Sequence, residues 1–422
     1  MTFKEITIGE GEKIKLPCSC EESYRCRESL KQKVDKFARF GKDLAPVGRL
    51  WANRTRKCAI VFLSKVEQES RLPVEVLMLE ECLTSEKTAG KALSSFELLA
   101  EEPPLPAEKG AEEGRIFLVA SFLKELKRLC KRHLRRGFPL REENLQGKIK
   151  GRPLLRENMR KNWSRLRYER VYCRFRDHSL DTPENRVLRA ALELCVRFLA
   201  RFRNHFKALN RMATFCRLSL ATVPVTKITA QEAARVKVTG VQKHYRAPLR
   251  LAVTVLRELG FLWSRGHSSA VTPYLVNMST LFEAYCEALL RKGRLSLPSL
   301  AEVARIETQK LFSWEGENNI KIKPDFLIFD QKGRTFIGDA KYKLLEDRFF
   351  RLHDLYQIVA YARHRELQKQ YGEVAGAFLF YPASKETRHY EISSFAINSG
   401  EEAKIFVIGV PLPENQGDRE TK

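Results

Sequence analysis

The sequence predicts an α/β chain, α+β taken as a whole, in which a C-terminal α/β domain follows a helical basic region and a small β-rich N-terminal domain. Three observations carry that prediction. After residue 266 the pattern runs helix, strand, strand, helix, strand, the order of a compact α/β domain. Between residues 115 and 260 the apolar residues recur with the helical period, whereas before residue 100 short Val-, Ile- and Leu-rich runs alternate with polar turns. The 422 residues, 43% hydrophobic and 10% aromatic, suit about two or three domains and exclude a wholly disordered chain.

Taken in order, VGRLWANRTRKCAIVFLSK and LPVEVLMLEECL read as short strands of a domain spanning 1–114. That domain closes in AEEPPLPAEKGAEEG, residues 100–114, whose prolines, glycines and glutamates mark a linker or protruding loop. The region 115–265 reads as mainly helical. FLVASFLKELKRLCKRHL and PENRVLRAALELCVRFLARFRNHFKAL place apolar residues at i, i+3, i+4 and i+7, and the second opens on Asp181, Thr182 and Pro183, a cap followed by proline. A third helix, YRAPLRLAVTVLRELG, is expected to stop at Gly260. In 266–412, TLFEAYCEALLRK is a helix, and KIKPDFLIFD and RTFIGDAKYK are strands joined by a Gln-Lys-Gly turn. DLYQIVAYARHREL is the next helix and VAGAFLFYP the next strand. Residues 413–422 read as a frayed tail.

Lys and Arg number 76 against 52 Asp and Glu, a net charge of +24. Residues 124–176 alone hold 19 basic and 5 acidic side chains, a surplus of +14. With Trp163, Tyr168 and Tyr172 interleaved, this segment reads as a nucleic-acid surface in preference to a solvated helix face. Lys131, Arg132, Arg135, Arg136, Lys148, Lys150 and Arg152 are the candidate phosphate contacts, with double-stranded DNA the expected polyanion. No apolar stretch approaches the ~18–20 residues of a spanning helix, and the N-terminus lacks the apolar core of a signal peptide, so a cytoplasmic protein with no membrane partner is expected.

Ten cysteines diluted through the chain read as reduced thiols. Cys18, Cys20 and Cys26 lie close together in CSCEESYRC but have no matching distant pair, and free or core thiols are favoured there over a metal site. The eight histidines show no zinc spacing, and His353 and His364 read as solvated. Asn185 reads as a cap or turn residue, and Phe198, Phe202 and Phe206 as core or partner surface. TAGKALSS, around Gly90 and Lys91, lacks the first glycine and the Ser/Thr of a phosphate-binding loop, so any nucleotide-driven motor must come from another chain.

The chemistry concentrates in Pro324-Asp325, Asp339-Ala340-Lys341, and Gln357 with Tyr361. Alternation along a strand puts Asp339 and Lys341 on one side, and a hairpin brings Asp325 opposite Asp339. Two carboxylates with an open coordination sphere suit Mg²⁺, with Mn²⁺ as a substitute, and their apolar flanks, FLIF and TFIG, argue against an incidental surface ion pair. Lys341 would orient or help deprotonate a water and offset charge on a phosphate. Glu283 offers a third acidic group and metal ligand. Gln357 would position the nucleophile or a phosphate, and Tyr361 contact the DNA backbone or pack.

These residues resemble the PD-(D/E)xK nuclease superfamily. LQGKIKGRPLLRENMRKN (145–162), DHSLDTPENRVLRAAL (177–192), MSTLFEAYCEALL (278–290) and GDAKYKLL with HDLYQIVAYA (338–362) resemble, more narrowly, McrC, the nuclease subunit of McrBC-type modification-dependent restriction systems. The resemblance implies a restriction-endonuclease-like C-terminal domain in which Asp325, Asp339 and Lys341 are catalytic and Glu283 and Gln357 support them. It also implies a partner, a McrB-like AAA+ GTPase ring that binds the GTP, reads the modified base and is stimulated by this chain. Cutting both strands implies two paired complexes. A stand-alone nuclease of the RecB or Cas4 type and a non-cleaving activator of the GTPase are the rival readings.

Overall fold

The computed structural model describes residues 3–8, 48–53, 58–61, 74–98, 115–132, 134–202, 205–236, 238, 240–264, 274–300, 302–313, 321–342, 352–383, 388–396 and 402–413. Cys18, Cys20, Cys26, the linker at 100–114 and the tail beyond 413 lie outside them. The chain forms two compact units, one made of Met1–Phe117 with Ser269–Lys422, the other of Leu118–Ser268. Residues before 114 therefore share a unit with the C-terminal segment, where the sequence suggests a separate domain.

Strands β1 (Phe3–Ile8), β2 (Gly48–Asn53) and β3 (Cys58–Val61) form an antiparallel sheet. LPVEVLMLEECL, expected as a strand, is helix α1 (Val74–Cys82), followed by α2 (Glu86–Ser94). Val76, Leu77, Met78, Leu79 and Cys82 of α1 are all buried, and a helix apolar on every side shows no period to separate it from a buried strand. Ser85 caps α2 by accepting a hydrogen bond from the Lys87 amide, and β4 (Phe96–Leu98) follows.

Helix α3 (Arg115–Arg132) leads into the second unit. There the basic segment is not all helical: β5 (Leu140–Gln146), β6 (Arg152–Pro153) and β7 (Arg170–Arg176) make an antiparallel sheet in the order β5-β7-β6, with α4 (Leu155–Lys161) against it. Its apolar core is small: Leu145, Cys173 and Phe175 are buried, with Val171 packed on them. A buried amide network adds to it, in which Asn162 and Asn144 exchange hydrogen bonds at 2.9 Å and the Asn158 Oδ1 accepts from the Tyr172 amide at 2.6 Å. Gly151 has a φ of +69°, and a Cβ there would stand 2.5 Å from the Arg174 carbonyl oxygen, so only glycine fits.

Thr182 caps α5 (Pro183–Leu199), with Pro183 in its first turn, as the sequence indicates. The expected long helix then breaks, because Phe206 adopts a left-handed conformation (φ 56°) before α6 (Lys207–Ser219). Phe198, Phe202 and Phe206 line this corner edge to face, at centroid separations of 5.4 and 5.8 Å. After α7 (Ala230–Ala234), α8 (Arg246–Ser264) packs on α5 and runs past Gly260. Asn185 is a buried structural residue: its Nδ2 donates to the Arg135 and Leu180 carbonyls and its Oδ1 accepts from the Tyr245 hydroxyl.

Strand β8 (Tyr274–Val276) pairs with β4, returning the chain to the first unit, and α9 (Met278–Arg291) packs against α1 and α2. Strands β9 (Val303–Thr308), β12 (Phe326–Asp330), β13 (Thr335–Ala340), β14 (Val374–Ala383), β15 (Arg388–Ala396) and β16 (Glu402–Pro411) build a six-stranded mixed sheet, and β10 (Phe312–Ser313) and β11 (Lys321–Ile322) a separate pair. The order is β15-β16-β14-β13-β12-β9, antiparallel at β12/β13 and parallel at β13/β14 and β14/β16. Helices α10 (Leu352–Ala362) and α11 (Arg365–Tyr371) split the single expected helix. One sheet face, with Leu327, Ile337 and Leu379, packs on Ile358 of α10. The α9 side of the sheet carries Tyr342, whose ring meets Phe282 at 5.5 Å.

Candidate active site

The register Phe326↔Gly338 carries the β12/β13 ladder to its last pair before Asp325 and Asp339. Alternation then sets Asp339 on the face of Ile337, toward α10, and Gly338 on the other. A Cβ at Gly338 would lie 2.8 Å from the Phe380 ring, so glycine lets that aromatic layer close directly beneath the site. Asp325 Oδ2 accepts a hydrogen bond from the Ala340 amide at 2.9 Å, and the Lys341 amide donates to the Phe380 carbonyl at 2.8 Å. The Asp325 carboxylate thus ties the start of β12 to the end of β13, and the Lys341 amide ties β13 to β14.

The Lys341 ammonium lies 2.6 Å from Asp339 Oδ2, a close ion pair at the end of β13. Burial, then the charges of Asp339 and Glu283, push the Asp325 carboxyl well above its ordinary range. Burial likewise raises Asp339, against the pull of Lys341, with Asp354 and Glu283 adding to the rise. For Lys341 burial opposes the charge, but Asp339, Asp325 and Asp354 outweigh it and the ammonium is held more tightly than usual.

From α10, Gln357 Nε2 donates to the Tyr361 hydroxyl at 2.5 Å, and Tyr361 senses the charges of Asp339, Lys341 and Asp325. Asp354, one turn before Gln357, is buried and accepts a hydrogen bond from the Tyr381 hydroxyl at 2.8 Å. Sequence reasoning passed over it, although its spacing from Gln357 and Tyr361 puts all three on one helical face. Glu283 comes from α9, where its Oε1 pairs with Lys91 of α2 and accepts from Gln309 Nε2 at 2.8 Å. Neither Lys91 nor Gln309 carries a local sequence signal for this role; Lys91 is 192 residues from Glu283.

The donor set suits a hard divalent cation, with the buried Asp339 carboxylate next to the partly buried Asp325 carboxylate. Among the described residues no group of three or more His, Cys, Asp or Glu side chains is arranged to hold a metal, so the geometry does not gather Glu283 with Asp325 and Asp339 as a ready ligand triplet.

The seven basic candidates belong to the second unit. Lys131, Arg132, Arg136, Lys148 and Arg152 are exposed. Arg135 pairs with the buried Glu184, and Lys150 with Asp177 at 2.7 Å. Trp163 and Tyr168 are exposed, while the Tyr172 ring lies beneath the Lys161 ammonium, 4.3 Å from its centroid. His353 is exposed as expected; His364 is instead buried, heading α11 with its ring 6.2 Å from Phe312. No described helix is long and apolar enough to cross a membrane.

Residues 107–382 match the family described as "McrBC 5-methylcytosine restriction system component", well over half of the chain. The chain belongs to the McrBC family. No curated protein matches it. Two solved assemblies from Thermococcus gammatolerans are similar to this McrBC-family chain. One holds McrB AAA+ hexamers with bound McrC, at 16% identity and a TM-score of 0.34, over 80% of this chain and 70% of that one. The other is a McrBC complex, at 16% identity and a TM-score of 0.30, over 65% and 81%. The family match takes in Glu283, Asp325, Asp339, Lys341 and Gln357, and leaves Lys91 outside.

Proposed function

We propose that this McrBC-family chain is the Mg²⁺-dependent endonuclease subunit of its restriction system, of the PD-(D/E)xK type. It hydrolyses DNA phosphodiesters, methylated DNA being the expected substrate, together with a McrB-like AAA+ GTPase ring whose GTP hydrolysis it stimulates. The observation that carries the reading is the meeting of Asp325, Asp339 and Lys341 at the adjoining ends of β12 and β13, where the Lys341 ammonium lies 2.6 Å from Asp339 and Asp325 accepts from the Ala340 amide. Asp325 and Asp339 would hold the ion, Mg²⁺ or Mn²⁺ in its place. When bound, such an ion supplies Lewis acidity and a more acidic water.

The remaining work falls to the chain's own side chains. Lys341, held beside Asp339 and kept protonated, donates to a phosphate oxygen or an attacking water and offsets charge that develops on the phosphate. Gln357, whose amide donates to the Tyr361 hydroxyl, would position the nucleophile or a phosphate. Tyr381 fixes Asp354 behind them. The basic face of the second unit takes the DNA backbone. Cleavage of both strands requires two paired complexes, and assemblies mixed with Asp339→Ala subunits should then yield nicks.

The deciding experiment combines the purified chain with its GTPase partner on methylated and unmethylated plasmid, with Mg²⁺ and GTP. Cleavage should need GTP and vanish in Asp339→Ala while GTPase stimulation survives. Cleavage without GTP would favour a stand-alone nuclease. Equal GTPase stimulation by wild type and mutant, with no cutting by either, would leave an activator.

A further inference from the structure

Glu283 approaches the site from α9, on the Tyr342 side of the sheet, whereas Asp339 lies on the face that α10 covers. Its Oε1 already holds the Lys91 ammonium and the Gln309 amide. A carboxylate oxygen offers about two lone-pair positions, so this one is filled. Only 13% of the Lys91 side chain and 12% of the Glu283 side chain are exposed, so the pair is largely withdrawn from solvent. The same ammonium stands 5.6 Å from the ring centroid of Phe326, the residue after Asp325. A divalent ion on the other oxygen of Glu283 would meet the ammonium at short range where solvent screens poorly, and like charges there repel strongly.

We propose that Lys91 supplies the second positive charge of this site, so that the nuclease takes one divalent ion, held by Asp325 and Asp339, and Glu283 holds Lys91 in place of a second ion. The inference rests on the nuclease reading of Asp325 and Asp339. It makes the α1–α2 pair, which lies before the family match, a working part of the site. Asp325, Asp339, Asp354 and Glu283 otherwise set four carboxylates about the site, against which Lys341 alone stands on the β13 side. Lys91 balances the group from the α9 side with a cation the protein carries itself.

The test counts Mn²⁺ ions bound to the full chain by calorimetry, without DNA, for wild type, Lys91→Met, Lys91→Arg and Asp339→Ala. Wild type should bind one ion at the site, Lys91→Met two, because Glu283 is released, and Lys91→Arg one. Circular dichroism checks folding, and Lys91→Gln, with the same expected count of two, serves if the methionine variant misfolds. Two ions in wild type, or one ion in both neutral variants, overturns the proposal. No ion in wild type, or an unchanged count in Asp339→Ala, brings down the nuclease-site reading instead.

Discussion

At Asp325, burial and then the neighbouring charges of Asp339 and Glu283 raise the carboxyl, and only the Ala340 amide and Lys341 pull the other way. The folded value lies above the unfolded one, so the folded protein binds that proton more tightly. The resulting stability is full below the unfolded value and is lost as pH rises through the folded value. At pH 7 without metal, the fold therefore carries a cost at this carboxyl, which is absent where both states are protonated. Asp325→Asn keeps the shape and an oxygen for the Ala340 amide but removes the charge. Thermal melts in chelator should show the variant more stable than wild type at pH 7, with the gap closing toward about pH 4, the ordinary carboxyl range. Added Mg²⁺ should stabilise wild type and leave Asp325→Asn much less affected, by linkage to binding. A variant no more stable than wild type at pH 7 would mean that the carboxylates are better solvated than the geometry indicates.

Among the elements, those whose pattern is local were legible and those that depend on distant partners were not. The β12–β13 pair could be read because its apolar strands flank a Gln-Lys-Gly turn in which Gly333 takes φ +76°. Asp325, Asp339 and Lys341 came with it, since strand alternation alone sets their sides. Helix α1 was missed because an all-apolar run has no face, and the β5-β7-β6 sheet because its many charges hide a core of a few side chains. That sheet leans on polar contacts, as Asn162 Nδ2 reaches Asn144, Asn158 and the Arg170 carbonyl at 2.9, 2.9 and 3.1 Å. The asparagines of LLRENMRKN thus have a structural task. Asn162→Ala should cost the second unit about 1–3 kcal/mol, the range for stranding buried hydrogen-bonding groups. Hydrogen exchange should show the loss in the amides of β5 and β7, with β12 and β13 unchanged; uniform protection would deny the network its role.

For the whole molecule the question is what its +24 charge does. The five acidic residues of 124–176 are each paired with a basic side chain: Glu125 with Arg128, Glu142 with Arg174, Glu143 with Arg141, Glu157 with Lys161 and Glu169 with Arg170. The surplus of +14 remains after that pairing and lies in the unit that does not contain the carboxylates. Surface pairs of this kind contribute little stability, so the surplus is better explained by an anionic partner than by folding. On the proposed function, substrate holding and bond cleavage would belong to different units of one chain. Arg132 and Arg136 are exposed near the end of α3, whereas Arg135 between them is tied to Glu184. Reversing Arg132 and Arg136 to Glu should lower the slope of log affinity for duplex DNA against log salt by about 2, near 0.9 for each phosphate no longer neutralised. The same change in Arg135 should act chiefly through stability, since it strands Glu184. Chain carrying Asp339→Ala should keep the full slope, because its defect lies in the other unit. If the slope held in Arg132→Glu/Arg136→Glu but fell in Asp339→Ala, the DNA path would run through the carboxylate site and not along the basic face.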